Sequence, residues 1–286
     1  MGGGNWRSDT FKKYSCSAGR SVKLDGTLDS SLTDSQIYTQ RYIHKDLDPK
    51  NVIRECCDSE EHPATIPVIL ALDVTGSMGQ AAAEVAKKLN VIMTKLYNEV
   101  KDVEFMVMGI GDLAYDNAPI QIGQFESDIR IAEQLDKIYM EHGGGGNSFE
   151  SYTAAWYMGL HHTKLDCWKR GRKGLIITLG DEPLNPYLPY EELGKVTGDD
   201  LQADIETKNL FNAVQEKYEL YHIHVHHRDP DYYEDAVNAS FGEQLQQGHF
   251  MIKSLDELTD AVVEIVKNHA KESEETVVQS AGYITW

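Results

Sequence analysis

Three oxygen-bearing side chains stand at alternate positions directly after a run of apolar residues in this chain of 286 residues. The apolar run covers residues 68–72, and Asp73, Thr75 and Ser77 follow it within the sequence IPVILALDVTGSMG, residues 66–79. Such a run is typical of a strand buried on both faces, and a helical pattern follows over residues 81–100. A carboxylate and two hydroxyls are therefore predicted at the carboxyl end of a buried strand. Hard divalent cations such as Mg²⁺ bind oxygen ligands of this kind.

A second polar group follows four consecutive glycines, residues 143–146. Asn147, Ser148 and Glu150 come next, and a predicted helix over residues 152–162 follows them. A phosphate-binding loop of the Gly-Lys-Ser or Gly-Lys-Thr type needs a lysine after its glycines, and none stands here. The glycine run therefore indicates a turn that presents polar side chains ahead of a helix.

A third acidic position ends another predicted strand. The apolar residues 175–179 run into Gly180 and Asp181, and Asp112 follows a further predicted strand over residues 103–110. The carboxyl ends of parallel strands meet at one edge of a sheet, where ligands bind in open α/β folds. Asp73, the polar residues after the glycines and Asp181 are therefore expected to converge.

In this order the three groups resemble the metal-ion-dependent adhesion site of von Willebrand factor A (VWA) domains. Asp-x-Thr-x-Ser differs from the family form, Asp-x-Ser-x-Ser, only at Thr75, which keeps the hydroxyl. The glycine run is similar to a Gly-Gly-Gly-Asp-x-Pro-Glu variant, with Asn147 at the Asp position and Glu150 retained. Asp181 lies in a Gly-Asp-Glu-Pro version of the third motif. The resemblance spans residues 67–270.

The resemblance implies a bound Mg²⁺, with Mn²⁺ and Ca²⁺ as alternatives. It leaves open which of the three polar residues after the glycines reaches the metal. The implied metal-site residues are Asp73, Thr75, Ser77, Asn147, Ser148, Glu150 and Asp181.

The predicted fold class is α/β, with a doubly wound, Rossmann-like, mainly parallel sheet flanked by helices and one antiparallel edge strand near residues 119–125. The VWA domain is predicted to cover residues 63–270. A partly irregular N-terminal extension, residues 1–62, precedes it, and a C-terminal tail, residues 271–286, follows. Residues 184–200 are predicted to form a long loop beside the site.

Two other motifs attract attention. In a strand, His222, His224 and His226 of the run HIHVHH lie on one face, where three imidazoles could bind Zn²⁺. The favoured interpretation is a half-exposed strand with polar residues facing outward; whether the run binds a second metal stays open. The basic cluster at residues 170–173 is interpreted as solvated surface ahead of a strand.

Composition excludes some functions. The net charge of −19 argues against nucleic acid as a partner, because phosphate neutralisation needs a basic surface. No apolar stretch reaches the roughly 18 residues of a membrane span, and the N-terminus lacks the apolar core of a secretory signal. Four cysteines without CxxC spacing indicate reduced thiols. A cytoplasmic protein is therefore predicted.

In the VWA family an Asp or Glu of a partner completes the coordination of the metal. The resemblance therefore implies a metal-dependent protein–protein interaction module rather than an enzyme. Among microbial relatives it implies a MoxR-type AAA+ ATPase as a partner. Two alternatives stay open. One is a metal-dependent hydrolase, for which His142 is the nearest general-base candidate; the other is a structural assembly protein with a vestigial metal site.

Overall fold

The computed structural model shows a central sheet flanked by helices. It describes all of the chain but a few segments, and residues 272–281 by their backbone alone. The described residues are 4–141, 146–147, 149–226, 234–246 and 248–281.

Ten strands form the sheets of the described residues. They are β1 (Arg54–Cys56), β2 (Ile66–Asp73), β3 (Val103–Ile110), β4 (Ile120–Ile122), β5 (Thr163–Leu165), β6 (Gly174–Gly180), β7 (Tyr187–Leu188), β8 (Ile205–Glu206), β9 (Tyr218–His226) and β10 (Phe250–Ser254). Six of them make the main sheet, in the order β10-β9-β6-β2-β3-β4. All neighbours in it are parallel except β3 and β4, which are antiparallel. The remaining four strands pair as β1 with β5 and β7 with β8.

Two helices precede the first strand, one follows the last strand, and the other helices of the described residues lie between strands along the chain. The helices are α1 (Ser8–Ser17), α2 (Asp34–Ile37), α3 (Gly79–Glu99), α4 (Arg130–Leu135), α5 (Thr153–His161), α6 (Tyr190–Thr197), α7 (Thr207–Val214), α8 (Glu234–Gly242) and α9 (Leu258–Ala281). Helix α9 crosses the predicted end of the VWA domain, since it continues beyond residue 270. No helix among the described residues combines the length and the apolar character that crossing a membrane requires.

The central strands are buried on both faces. Alternate residues of β2 enter two separate cores: Val68 and Leu70 pack with α3 and α9, whereas Ile69 and Ala71 pack with α5 and α8. Every residue of β3 and β6 is buried as well. The predicted doubly wound sheet with helices on both faces and one antiparallel edge strand is confirmed.

Residues 184–200 are not the long loop that the sequence predicted. They contain β7 and the two-turn helix α6, whose Leu193 is buried. Pro189 immediately precedes α6, and Gly198 follows it with a φ of 85°. A proline at the start and a left-handed glycine after the end are ordinary helix boundaries, so the signal was present in the sequence.

The histidine run is also placed differently from the prediction. His222 and His224 are fully buried, because α8 covers this face of β9 and β10 pairs with its edge. The ring of His222 stacks on Phe241 at a centroid distance of 3.7 Å, and its Nδ1 is 2.8 Å from Thr178 Oγ1. The interpretation as outward-facing polar residues is therefore wrong for these two residues. His226 is half-buried, and His227 lies outside the described residues.

The N-terminal segment packs along α3. The indole Nε1 of Trp6 donates a hydrogen bond to Asn90 Oδ1 at 3.1 Å, and Asn90 Nδ2 donates to the carbonyl of Gly26 at 3.0 Å. The hydroxyl of Tyr38 donates to the carbonyl of Ala82 at 2.8 Å. Asn90 is thus a buried polar link between α3 and two points of the N-terminal segment.

Substituting Asn90→Ala is expected to lower the free energy of unfolding by about 2–3 kcal/mol, because a buried indole N–H and a carbonyl lose their partner. Chemical denaturation monitored by circular dichroism measures the change. Asn98→Ala, the same substitution at an exposed position of α3, is the control and should change stability by less than about 0.5 kcal/mol. Equal effects of the two substitutions would contradict the link.

Candidate metal centre

The first part of the site is the turn that follows β2. The backbone N–H and the hydroxyl of Thr75 both donate to Asp73 Oδ1, at 2.9 and 2.6 Å. A side chain that accepts from the residue two positions later is a common way for Asp to close a tight turn. A short 3₁₀ helix, Gly76–Met78, then leads into α3. The Asp-x-Thr-x-Ser spacing therefore folds into a turn that fixes the carboxylate of Asp73.

Ser77 connects this turn to the third motif. Its hydroxyl donates to Asp181 Oδ1 at 3.0 Å and lies 3.5 Å from Thr75 Oγ1. Asp181 follows β6, the strand beside β2, and Leu72 pairs with Leu179 in the register of the two strands. Asp73, Thr75, Ser77 and Asp181 thus form one connected row of oxygen atoms at the carboxyl edge of the sheet.

Glu150 is buried next to this row without a partner for one of its oxygens. The residue is 6% exposed, and its Oε2 has no hydrogen-bond partner among the described residues. Burial, followed by repulsion from Asp73, Asp116 and Asp112, raises its pKa far above the ordinary value. An unpartnered buried carboxylate is costly, and a nearby cation would remove that cost.

The other two residues predicted after the glycine run are less well connected. Asn147 is half-buried, and its Oδ1 accepts a hydrogen bond from the backbone of Phe149 at 3.5 Å. No hydrogen bond to Asp73 or Asp181 accompanies this contact in the part of the chain that the structure describes. Ser148 and His142 lie outside the described residues. Their predicted roles stay predictions.

The two strand-end carboxylates repel each other inside the protein. Asp73 is 1% exposed and Asp181 is 3% exposed. Burial and then repulsion by Asp181 raise the pKa of Asp73, although hydrogen bonds from Thr75 and Tyr152 act in the opposite direction. Two carboxylates in one buried site favour either protonation or a bound cation.

The donor set suits a hard cation better than a soft one. Among the described residues, no three His, Cys, Asp or Glu side chains are grouped so that they could hold a metal ion. The row instead combines two carboxylates with two hydroxyls. Mg²⁺ is usually held by one or two carboxylates and keeps several waters, so these residues fit that ion.

Tyr152 is a residue of the site that the sequence analysis missed. Its hydroxyl donates to Asp73 Oδ2 at 2.7 Å and accepts from the backbone N–H of Glu182 at 3.2 Å. The ring occupies the space above Gly180, where a Cβ would collide with the hydroxyl. The glycine immediately before Asp181 was the available signal, since close approach by another group requires it.

Asp112 and Asp116 form a second acidic pair at the same edge. Asp112 Oδ1 accepts from the N–H of Ala114, and Asp116 Oδ2 accepts from the N–H of Asp112, both at 2.7 Å. Burial, opposed by that hydrogen bond, raises the pKa of Asp116 to about 6. The sequence analysis noted Asp112 at the end of β3 but assigned it no role. These carboxylates add to the negative potential at Glu150.

Comparison with known proteins supports the fold. No protein-family model matches the chain, and no curated protein matches it in sequence. In structure it is similar to the pilus adhesin SpaC from Lactobacillus rhamnosus GG in its open conformation, with a TM-score of 0.50 and 13% identity. The similarity covers 78% of this chain and 31% of that chain, so this chain spans about a third of the adhesin's length.

A second similar structure is the vWF domain of the type V pili tip protein Mfa5 from Porphyromonas gingivalis. Its TM-score is 0.43 and its identity 10%, over 72% of this chain and 95% of that domain. The strand order of the main sheet and the similarity to SpaC support the same doubly wound α/β fold. The resemblance of the three motifs to the VWA family stays a prediction.

Proposed function

We propose that this chain is a metal-dependent protein–protein interaction module and not an enzyme. The observation that carries the proposal is the row of oxygens from Asp73 to Asp181, with the unpartnered Glu150 beside it. Asp73, Thr75, Ser77 and Asp181 would hold Mg²⁺, directly or through its waters. Of the three residues after the glycines, Glu150 has the best support as a further contributor.

Each residue of the site has a role in this proposal. Thr75 and Tyr152 hold the two oxygens of the Asp73 carboxylate in place, and Ser77 does the same for Asp181. When bound, the cation supplies a coordination position that a carboxylate of a partner protein can fill. Without a cation, the buried acids of this edge would repel an acidic partner.

The surface beside the site has an aromatic side chain suited to a protein partner. Tyr115, in the loop after β3, is 57% exposed, and its ring lies against the backbone of Gly146. Exposed aromatic side chains are frequent anchors of protein interfaces. The proposed partner supplies an Asp or Glu. A MoxR-type AAA+ ATPase and a cytoplasmic location are carried over from the sequence analysis as proposals.

The hydrolase alternative needs a general base beside the carboxylates. The residue considered for that role, His142, lies outside the described residues, so the geometry does not test this alternative. The alternative of a structural protein with a vestigial site predicts no response to cations, and the experiments below separate it from the proposed module.

Isothermal titration calorimetry with Mg²⁺ tests the centre itself. Wild-type protein should bind with a stoichiometry of about one, and Asp73→Asn should weaken binding by at least about tenfold, because a ligand carboxylate is lost. Asp260→Asn is the matched control: the same charge is removed from an exposed aspartate of α9. Equal heats for wild type and Asp73→Asn would overturn the metal assignment.

The pH dependence of stability tests the buried acids. Burial raises the pKa values of Asp73 and Glu150, so the folded state keeps protons that the unfolded state releases above about pH 4. Without metal, the free energy of unfolding should therefore fall, by about 2 kcal/mol or more, as the pH rises from about 5 to about 8.

Mg²⁺ should restore more stability at the upper end of this range than at the lower end, because it replaces the protons. Asp73→Asn should give a shallower fall in EDTA and little response to Mg²⁺. Urea denaturation at each pH measures both. A metal-free wild-type protein whose stability falls no more steeply over this range than that of Asp73→Asn would contradict the account.

Partner capture tests the interaction function. Immobilised wild-type protein, Asp73→Asn and Asp260→Asn are exposed to the same cell extract in Mg²⁺ or in EDTA, and bound proteins are quantified by mass spectrometry. The proposal expects a set of proteins that EDTA and Asp73→Asn both remove and that Asp260→Asn retains. A set that is insensitive to both treatments would support the structural alternative instead.

A further inference from the structure

A cleft lies at the edge of the sheet opposite the candidate metal centre. Gly174 and Tyr218 begin β6 and β9 and are paired in register, so the cleft beside them lies at the amino ends of these strands. Its volume is about 440 Å³, within the usual range for small-molecule sites. Among the described residues, none of those lining it belongs to the metal centre. We name it the basic cleft.

The basic cleft gathers cationic and imidazole side chains on a chain whose net charge is −19. Arg172, Lys173, His249 and His269 all line it, and Glu219 is the one acidic residue among its described lining residues. A cleft with one sign of charge concentrates ligands of the opposite sign. The local charge therefore favours an anion, in contrast to the acidic opposite edge.

The carboxylate of Glu219 already has partners for both of its oxygens. Glu219 Oε2 lies 2.5 Å from His269 Nδ1, and its Oε1 accepts from the hydroxyl of Tyr221 at 2.9 Å and lies 3.5 Å from His249 Nε2. Burial raises the pKa of Glu219, but the hydrogen bond and charge of His269 and the hydroxyl of Tyr221 outweigh it and lower the pKa overall. Glu219 thus orients two imidazoles rather than repelling an anion.

His269 retains one nitrogen for a ligand. The residue is 4% exposed and lines the cleft, and no described residue is a hydrogen-bond partner of its Nε2. Since Nδ1 faces the Glu219 carboxylate, it donates in that hydrogen bond. When the ring is doubly protonated, Nε2 is a second donor, from which an anion can accept. A buried ring nitrogen without a partner is unfavourable unless something else contacts it, and a bound molecule would provide the contact.

The basic residues of the loop before β6 have two different roles: Arg170 fastens the loop, and Lys173 lines the cleft. Arg170 pairs with Asp58 and donates to the carbonyl of Thr65 at 2.7 Å, so it fastens the loop. Lys173 is exposed, and no hydrogen bond or ion pair engages its side chain within the described residues. The whole cluster was predicted to be solvated surface. The structure instead gives Arg170 contacts that fasten the loop, whereas Lys173 lines the cleft.

We propose that the basic cleft binds a small organic anion that carries a phosphate or a carboxylate group. The anionic group lies against Lys173 and His269, and the apolar part of the ligand packs on Phe211 and Leu245, which also line the cleft. A small site of this kind combines an apolar wall with a few polar groups that fix the orientation of the ligand. The proposal does not depend on the metal centre.

Nuclear magnetic resonance of the histidine side chains in the full chain tests the proposal. The probes are phenyl phosphate and benzoate, with benzamide as the neutral analogue and sodium chloride at matched ionic strength. His249→Gln and His269→Gln identify the two resonances. Saturable shifts of these resonances, with a dissociation constant of about 1 mM or below, are expected for at least one anion and not for benzamide.

Which anion binds decides between a phosphate ester and a carboxylate as the natural ligand class. Lys173→Ala should weaken binding by about tenfold, since a charged contact is lost. Lys164→Ala, which removes the same charge from an exposed lysine of β5, should leave binding within about twofold. Absence of saturable shifts up to about 20 mM, equal binding of benzamide, or equal losses in the two variants would overturn the proposal.

Discussion

The repulsion between buried carboxylates at the carboxyl edge of the sheet is the constraint on which the rest of the site depends. Asp73 and Asp181 are almost completely buried and lie at the carboxyl ends of the neighbouring strands β2 and β6. Glu150 approaches them from the segment before α5. Burying an ionised carboxylate without compensation is strongly unfavourable. The hydrogen bonds at this edge hold these acids in place, and in the proposed function a hard cation neutralises their charge.

Several hydroxyl groups of the surrounding structure hold the acids in place. Thr75, Ser77 and Tyr152 hold the carboxylate oxygens with hydroxyl groups, which leave the charge in place instead of cancelling it. Helix α3 begins directly after the turn, so the positive end of its dipole lies near the site. Among the described residues, the hydrogen bonds to Asp73 come from Thr75 and Tyr152 and none comes from a cationic side chain. In the proposed function, a bound cation supplies the positive charge.

The sequence was sufficient for the fold and for the row of oxygens because both depend on local patterns. Buried strands ending in Asp73 and Asp181 are read from apolar runs, and parallel topology brings their ends together. Tyr152 could not be found in this way, because its hydrogen bond to Asp73 joins residues 79 positions apart.

The burial of His222 and His224 escaped prediction for a similar reason. Imidazoles in alternation suggest an outward face, and only the packing of α8 and β10 against β9 determines that this face is covered. The basic cleft could not be predicted from the sequence for the same reason. It is assembled from the loop before β6, the segment before β10, α7, β9 and α9, and no single stretch of sequence contains its charges.

The most direct test of the central claim is a crystal structure of the wild-type protein grown with Mg²⁺, with a parallel crystal soaked in Mn²⁺ for its anomalous signal. The account predicts one peak between Asp73 and Asp181, with octahedral oxygen coordination at about 2.1 Å for Mg²⁺. It also predicts that Thr75 or Ser77 contributes to the coordination, directly or through water. A structure in which saturating cation leaves this edge empty, or binds without either aspartate, would contradict the account.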